Sequence, residues 1–237
     1  TGPAALELAA SGLAYSKQMI VANQVAYFLE LLGYEAIPDA SSYPDIGPSV
    51  FWGVRSGMGE QGRHSLLITP EYGTRVRVVK VWTSAELVPD KPIRFGVTEI
   101  CLKCEKCAKH CPSGAIPTGD NRGWEGPTLC ERNGVYMLRV NHLQCFRYWN
   151  MVGSDCGVCI RVCPYNKKPW WAHETFRDYI GPILGGKLSA ALDDFLGYGE
   201  QLPPSKWWGS KSGYDRIYGE TDPLVPITRL DELWRNL

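Results

Sequence analysis

The sequence predicts an α/β (α+β) body carrying a compact, cysteine-rich insert. Three observations predict it: a long N-terminal helical run, two short strand-like runs after a glycine-rich connection, and nine cysteines between Cys101 and Cys163, eight of them in two groups with only Cys130 apart. Helices and short strands bury their apolar faces against one another in layers, whereas a dense group of cysteines folds around something inorganic or covalent. A length of 237 residues suits one large domain or a medium one with a small partner. With 44% hydrophobic and 21% charged residues, the chain is not of a disordered composition. Twenty-five basic residues balance 25 acidic ones, so charge makes no case for nucleic acid or an anionic membrane as partner. No run approaches the roughly 18 apolar residues that a bilayer-spanning helix needs. The start, Thr1-Gly2-Pro3-Ala4, has no charged n-region, no apolar h-region and no initiator Met, so the chain is read as processed or as a fragment.

Residues 4–34 read as helix, with Leu13, Ile20, Val25, Phe28, Leu29 and Leu32 at helical spacing, Gly33 as C-cap and Gly12 as a candidate break. Residues 38–62 form a long connection rich in glycine and proline, of the kind that is functional rather than filler in a compact domain. Two strands are expected, at residues 65–69 and 76–82, joined by the turn Pro70-Glu71-Tyr72-Gly73. Pro89-Asp90-Lys91-Pro92 marks a boundary. The expected division is therefore a body at residues 1–95, the cysteine segment at 96–168 and an aromatic tail at 169–237 that packs back on the core. The tail carries Trp170, Trp171, Phe176, Tyr179, Trp207, Trp208 and Trp234.

The first cysteine group is Cys101-x2-Cys104-x2-Cys107-x3-Cys111-Pro112. The second ends Cys156-x2-Cys159-x3-Cys163-Pro164, with Cys145 eleven positions upstream as its first member. A C-x2-C-x2-C-x3-C-P run is the bacterial ferredoxin signature, whose fourth cysteine ligates the other cluster. A short loop wraps three corners of a four-iron cube before the chain must leave, and the Cys-Pro begins the crossing to the neighbour. Cluster A then takes Cys101, Cys104, Cys107 and Cys163, and cluster B takes Cys145, Cys156, Cys159 and Cys111. Structural zinc is the rival, but it uses two close pairs per ion and gains nothing from a remote Cys-Pro. Cys130 has no partner in this scheme and is expected to be buried and inert. Lys103, Lys106, Lys109, Arg147, Arg161, Lys167 and Lys168 surround the ligands; they read equally as solvated loop charges or as cations that raise the cluster potentials.

Two clusters need only the insert, so the remaining three-quarters of the chain must hold their electron acceptor. Here the sequence resembles the corrinoid-dependent reductive dehalogenases, over about residues 13–168. The resemblance is carried by Gly12-Leu13-Ala14-Tyr15-Ser16, Leu32-Gly33-Tyr34-x-Ala36-Ile37-Pro38 and Gly57-x-Gly59-Glu60-x-Gly62-Arg63. It continues in Leu67-Ile68-Thr69-Pro70-Glu71-Tyr72-Gly73-x-Arg75-Val76-Arg77, Pro89-Asp90-Lys91-Pro92 and both cysteine motifs. The resemblance implies a nitroreductase-like core, here without its N-terminal region, that binds a base-off, cobalamin-type corrinoid, with the ferredoxin-like insert feeding it two electrons. Base-off binding agrees with the four histidines, none of which sits in a D-x-H-x-x-G context.

By the same resemblance, a Co(I) corrinoid breaks a carbon–halogen bond and the protein supplies one proton, giving R–H and halide. Tyr15 is the implied proton donor. An ordinary tyrosine has a pKa of about 10 and is protonated at working pH. A basic residue supports it: Arg75 or Arg77, whose side chains share one face if the segment is a strand, with Arg63 in reserve. Gly57, Gly59 and Gly62 are implied to let backbone approach the corrinoid. Many members carry an asparagine shortly after Ala-Ile-Pro; this chain has Asp39-Ala40-Ser41-Ser42, so Ser41 or Ser42 is the replacement and substrate preference does not carry over. The implied partners are a small organohalide, an electron donor or small membrane-anchor subunit at the extracytoplasmic face, and a second copy or chain that completes the pocket. Two rivals remain. An epoxyqueuosine-reductase type would use an aspartate acid and a basic RNA-facing surface, which Tyr15 and the balanced charge oppose; the other is a non-catalytic electron-transfer subunit.

Overall fold

In a computed structural model of the chain, residues 4–40, 46–131, 133–166, 175 and 185–198 are described. The first element, α1 (Ala4–Leu31), is unbroken. Gly12 does not split it: a glycine costs a helix only about 1 kcal/mol, and Ser16 Oγ donates back to the Gly12 carbonyl at 2.9 Å. The helix ends as expected at Gly33, with φ +91°. Gly33 N donates to Glu30 O and Tyr34 N to Leu29 O, the paired bonds of a Schellman cap.

The buried seam of α1 differs from the expected one. Gln18, Ala22 and Ala26, spaced four apart, face the antiparallel pair of β1 (Ala36–Asp39) and β4 (Lys80–Thr83). Leu13, Ile20, Val25, Phe28 and Leu32 stand exposed. A two-stranded sheet covers only a narrow stripe of a helix, and small residues let it approach closely. In the antiparallel β1–β4 register Ala36 faces Thr83 and Asp39 faces Lys80. Asp39 is fully buried, paired with Lys80 at 3.4 Å and accepting from Trp82 Nε1 at 2.7 Å.

After α2 (Ser49–Arg55) come β2 (Glu60–Gln61) and β3 (Leu67–Ile68), antiparallel, with Glu60 opposite Ile68. The predicted turn is present: Thr69 and Gly73 exchange backbone hydrogen bonds at 2.9 and 3.0 Å. The second strand is shorter than expected. Residues 75–79 run without strand pairing, because β1 offers only four residues of ladder and those pair from Lys80 onward. The alternation that would put Arg75 and Arg77 on one strand face is therefore absent.

The cysteine segment contributes α3 (Val97–Cys104), α4 (Lys106–Lys109), the pair β5 (Arg122–Gly123) and β6 (Met137–Leu138), α5 (His142–Val152) and α6 (Val158–Arg161). A left-handed Glu105 (φ 57°) separates α3 from α4. Asn141 caps α5 by accepting from Gln144 N at 2.9 Å. From the tail, α7 (Gly186–Phe195) packs on α3, with Gly186 against the Ile100 carbonyl. The tail aromatics lie outside the described residues. Body and insert share one apolar core, in which Ile68 of β3 meets Val97, Ile100, Cys104, Cys163, Tyr165 and Ala190. Among the described residues no helix is long and apolar enough to cross a membrane.

The three glycines of the 57–62 loop are held by the chain itself. A Cβ on Gly59 would sit 2.0 Å from the Ile68 carbonyl oxygen, one on Gly57 2.6 Å from that of Lys91, and one on Gly62 2.7 Å from Ile68 Cδ1. Each therefore has a packing reason of its own to be glycine. Gly59→Ala is expected to cost about 3 kcal/mol, the upper part of the overpacking range, and to lower Tm by roughly 6–12 °C. A melt of the loaded protein within 2 °C of wild type, by circular dichroism, would contradict this close approach.

Candidate iron–sulfur centre and its neighbours

Each cysteine reaches the site from a short element. Cys101 and Cys104 lie on α3, three apart and so on one face. The Glu105 reversal starts α4, which carries Cys107, and Cys111 follows that helix. Cys145 lies on α5, Cys156 just before α6, Cys159 on α6 and Cys163 just past its end. All nine cysteines are free thiols.

The thiols gather in two sets. One cavity is lined by Cys101, Cys104, Cys107 and Cys163, together with Arg63, His64 and Tyr165. Burial pushes the Cys101 thiol up to about 12, and Cys104, Cys107 and Cys163 upward too. Cys163 is raised further by Cys101, Cys107 and Cys104. In the second set burial pushes Cys159 up to about 12, with Cys156, Cys145 and Cys111 adding to it. Cys145 and Cys156 are raised in the same way. Cys111 is the exception: burial works upward, but the Ser113 hydroxyl, 3.3 Å from Sγ, and backbone N–H groups hold its pKa below the ordinary thiol value.

Buried thiols this resistant to ionisation become thiolates only when a cation displaces their protons. Among the described residues no three His, Cys, Asp or Glu side chains close on one point as the ligands of a single ion do. Two all-thiol sets, one lining a cavity, fit the donor chemistry of four-iron clusters. The set at the cavity has the membership expected for cluster A. Cys107 also feels Cys159 of the other set, so the two sets adjoin.

Cys130 is exposed, contrary to the burial expected. Its loop folds about the buried Glu131, whose carboxylate accepts from Thr128 N and His142 N, both at 2.7 Å, and this turns Cys130 outward. Of the described lysines beside the ligands, Lys106 is the one drawn inside, paired with Asp193 and, at 2.7 Å, with Asp194. Burial works to lower its pKa, but the two carboxylates outweigh that and hold it raised. Lys103 and Lys109 are exposed, and Lys167 and Lys168 lie outside the described residues.

Of the residues expected around the proton donor, Arg77 is the one set against Tyr15. Its guanidinium carbon lies 4.8 Å from the centre of the half-exposed Tyr15 ring, a cation–π contact. Arg77 also donates to Ser11 Oγ at 3.3 Å. Arg75 donates to Tyr72 O at 3.4 Å. Arg63 is elsewhere: it is 1% exposed and donates to the carbonyls of Cys101, Pro117 and Leu102 at 2.9, 2.8 and 3.4 Å. Ser41 and Ser42 lie outside the described residues.

The start of α1 touches the second thiol set, where a Cβ on Gly157 would lie 2.2 Å from Glu7 Oε1. Burial first, then Asp155, raises the Glu7 carboxyl. Tyr15 stands eight residues further along, about 12 Å at 1.5 Å per residue. The sequence reading overlooked Glu60. Buried at the entry to α3, it accepts from Phe95 N at 2.5 Å and Val97 N at 3.3 Å. Its place between Gly59 and Gly62 was the available signal.

Residues 100–166 match a family of 4Fe-4S double cluster binding domains. The chain is similar to the tetrachloroethene reductive dehalogenase of Sulfurospirillum multivorans, 36% identical over 217 residues, covering 89% of this chain and 42% of that protein. It thus spans about two-fifths of that relative's length. An epoxyqueuosine reductase of Listeria monocytogenes is 31% identical over 146 residues, covering 59% of this chain and 36% of that protein. A solved reductive dehalogenase, described with a mechanism for B12-dependent dehalogenation, superposes with a TM-score of 0.70 at 27% identity. That match covers 78% of this chain and 26% of the other.

Proposed function

Because the chain is homologous to the reductive dehalogenases over 89% of its length, we propose that it takes part in the corrinoid-dependent, two-electron removal of halide from a small organohalide. One observation carries the reading: Tyr15, with Arg77 of the 75–79 connection over its ring, stands on a helix whose start meets the second thiol set at Glu7. A proton donor and an electron source are thereby joined through one rigid element.

The chain's own chemistry divides as follows. Cys101, Cys104, Cys107 and Cys163 would hold one 4Fe–4S cluster, and Cys145, Cys156, Cys159 and Cys111 the other. Tyr15 donates the proton that replaces the halide. Arg77, over the ring, stabilises the phenolate left behind. When bound, the corrinoid supplies the low-valent cobalt at which the carbon–halogen bond breaks.

Two features support a place for that group. The α1 face around Tyr15 presents Leu8 and Met19 outward, an apolar strip against which a large ring can lie. Among the described residues no imidazole stands there: His64 is buried in the cavity of the first thiol set, where burial lowers its pKa to about 4 and keeps it neutral, and His110 and His142 belong to the cysteine segment. A base-off corrinoid needs no such ligand. A second copy or chain over the α1 face, and a small membrane-anchor subunit at the extracytoplasmic side, belong to the same reading.

Anaerobic loading followed by iron, zinc and corrinoid analysis tests it. About eight irons per chain are expected from two four-iron clusters, with a bound cobalamin-type corrinoid. Zinc at the thiols, or a spectrum of clusters alone after incubation with corrinoid, would overturn it.

A further inference from the structure

Arg63 is a buried cation with no carboxylate partner among the described residues. Its three hydrogen bonds go to the neutral carbonyls of Cys101, Leu102 and Pro117. It lines the cavity formed by Cys101, Cys104, Cys107 and Cys163. Asp120 feels its charge, but Asp120 is exposed and spends its carboxylate on Arg122. The Glu60 carboxylate faces Phe95 N, Val97 N and Thr98 Oγ1. A guanidinium keeps its proton at any working pH, and an unpaired buried charge is strongly disfavoured. Glu105 also lines the cavity, its carboxylate accepting from Gly119 N at 2.6 Å; the opposite charge left for Arg63 is that of the four thiols once they ionise on an iron cluster.

Lys106 makes the contrast. It lies between two ligands of the same set, yet Asp193 and Asp194 neutralise it. Arg63 is thus the unspent positive charge at this site. We propose that Arg63 is a positioning and tuning residue that serves as counter-charge to cluster A and raises its reduction potential relative to a neutral side chain. The proposal rests on the two-cluster reading above. In the step concerned, one electron passes from an external reductant to the cluster. The cluster gains one negative charge and no bond breaks. A fixed cation beside the cluster stabilises the more negative form.

The test is an anaerobic titration with dithionite, followed by electron paramagnetic resonance, on wild type, Arg63→Lys and Arg63→Gln, each with its iron counted. The step belonging to cluster A is the one missing from Cys163→Ser. In Arg63→Gln that step alone should move to lower potential. At the wild-type midpoint the ratio of reduced to oxidised cluster should fall about tenfold, equivalent to about 59 mV for one electron. Arg63→Lys should keep most of the wild-type value. The proposal is overturned if Arg63→Gln keeps its iron and both midpoints, or if Arg63→Lys moves as far as Arg63→Gln. Loss of four irons from Arg63→Gln alone would also support the counter-charge. The same loss from both variants would reduce Arg63 to a tie between loops. Wild type with fewer than two clusters would remove the underlying reading instead.

Discussion

Tyr15→Phe is expected to lower halide release by about 10²–10⁴-fold, the usual worth of a positioned general acid, with iron and corrinoid contents unchanged. The phenylalanine ring keeps the shape of the site and leaves a surface for Arg77, which now lies 4.8 Å from the ring centre. Only the O–H is lost. Because Tyr15 is half-exposed on α1, its removal opens no cavity and the melt should not move. Arg77→Met should reduce turnover less, since the donor remains and only support for its phenolate is withdrawn; Arg77→Lys should recover part of the loss. Halide release from a chlorinated alkene, driven by a reduced viologen under anaerobic conditions, measures all three. Wild-type turnover in Tyr15→Phe would take this tyrosine out of the chemistry.

Cys163→Ser should remove one cluster and leave the other, so that iron falls from about eight to about four per chain. The crossed connectivity makes a sharper claim. Cys163 closes the α6 loop but lines the cavity with Cys101, Cys104 and Cys107 of the distant first loop. Adding Cys101→Ser should then cost no further iron, whereas Cys163→Ser with Cys145→Ser should lose nearly all of it. The reverse pattern would mean that each loop holds its own cluster. The exposed Cys130 supplies the control, with Cys130→Ala keeping the full count. Cys163→Ser should also lower Tm, because Cys163 and Tyr165 belong to the core that joins insert to body, and Gly73 is pressed against the Tyr165 carbonyl.

The parts legible in the sequence were those written in local spacing. Cys-x2-Cys-x2-Cys-x3-Cys-Pro constrains a few consecutive residues around a rigid inorganic core, so a double-cluster segment could be read before any fold was known. The α1 cap at Gly33 and the turn at residues 70–73 are equally local, one left-handed residue and one short backbone loop. Glycine spacing, in contrast, told only that something approaches closely at Gly57, Gly59 and Gly62. That the neighbour is the chain's own backbone and side chains is a long-range fact.

Charge placement was beyond the sequence for the same reason. Arg63, Arg75 and Arg77 are alike as letters, and the expected strand would have paired the last two. The strand stops short because a four-residue partner cannot extend its ladder, which leaves Arg77 free to lie over Tyr15, while the β2–β3 fold turns Arg63 inward against the carbonyls of the cysteine loop. The double-cluster segment announced itself through neighbours a few residues apart. Which arginine lies over Tyr15 and which faces the thiols depended on segments that meet only when distant parts of the chain pack together.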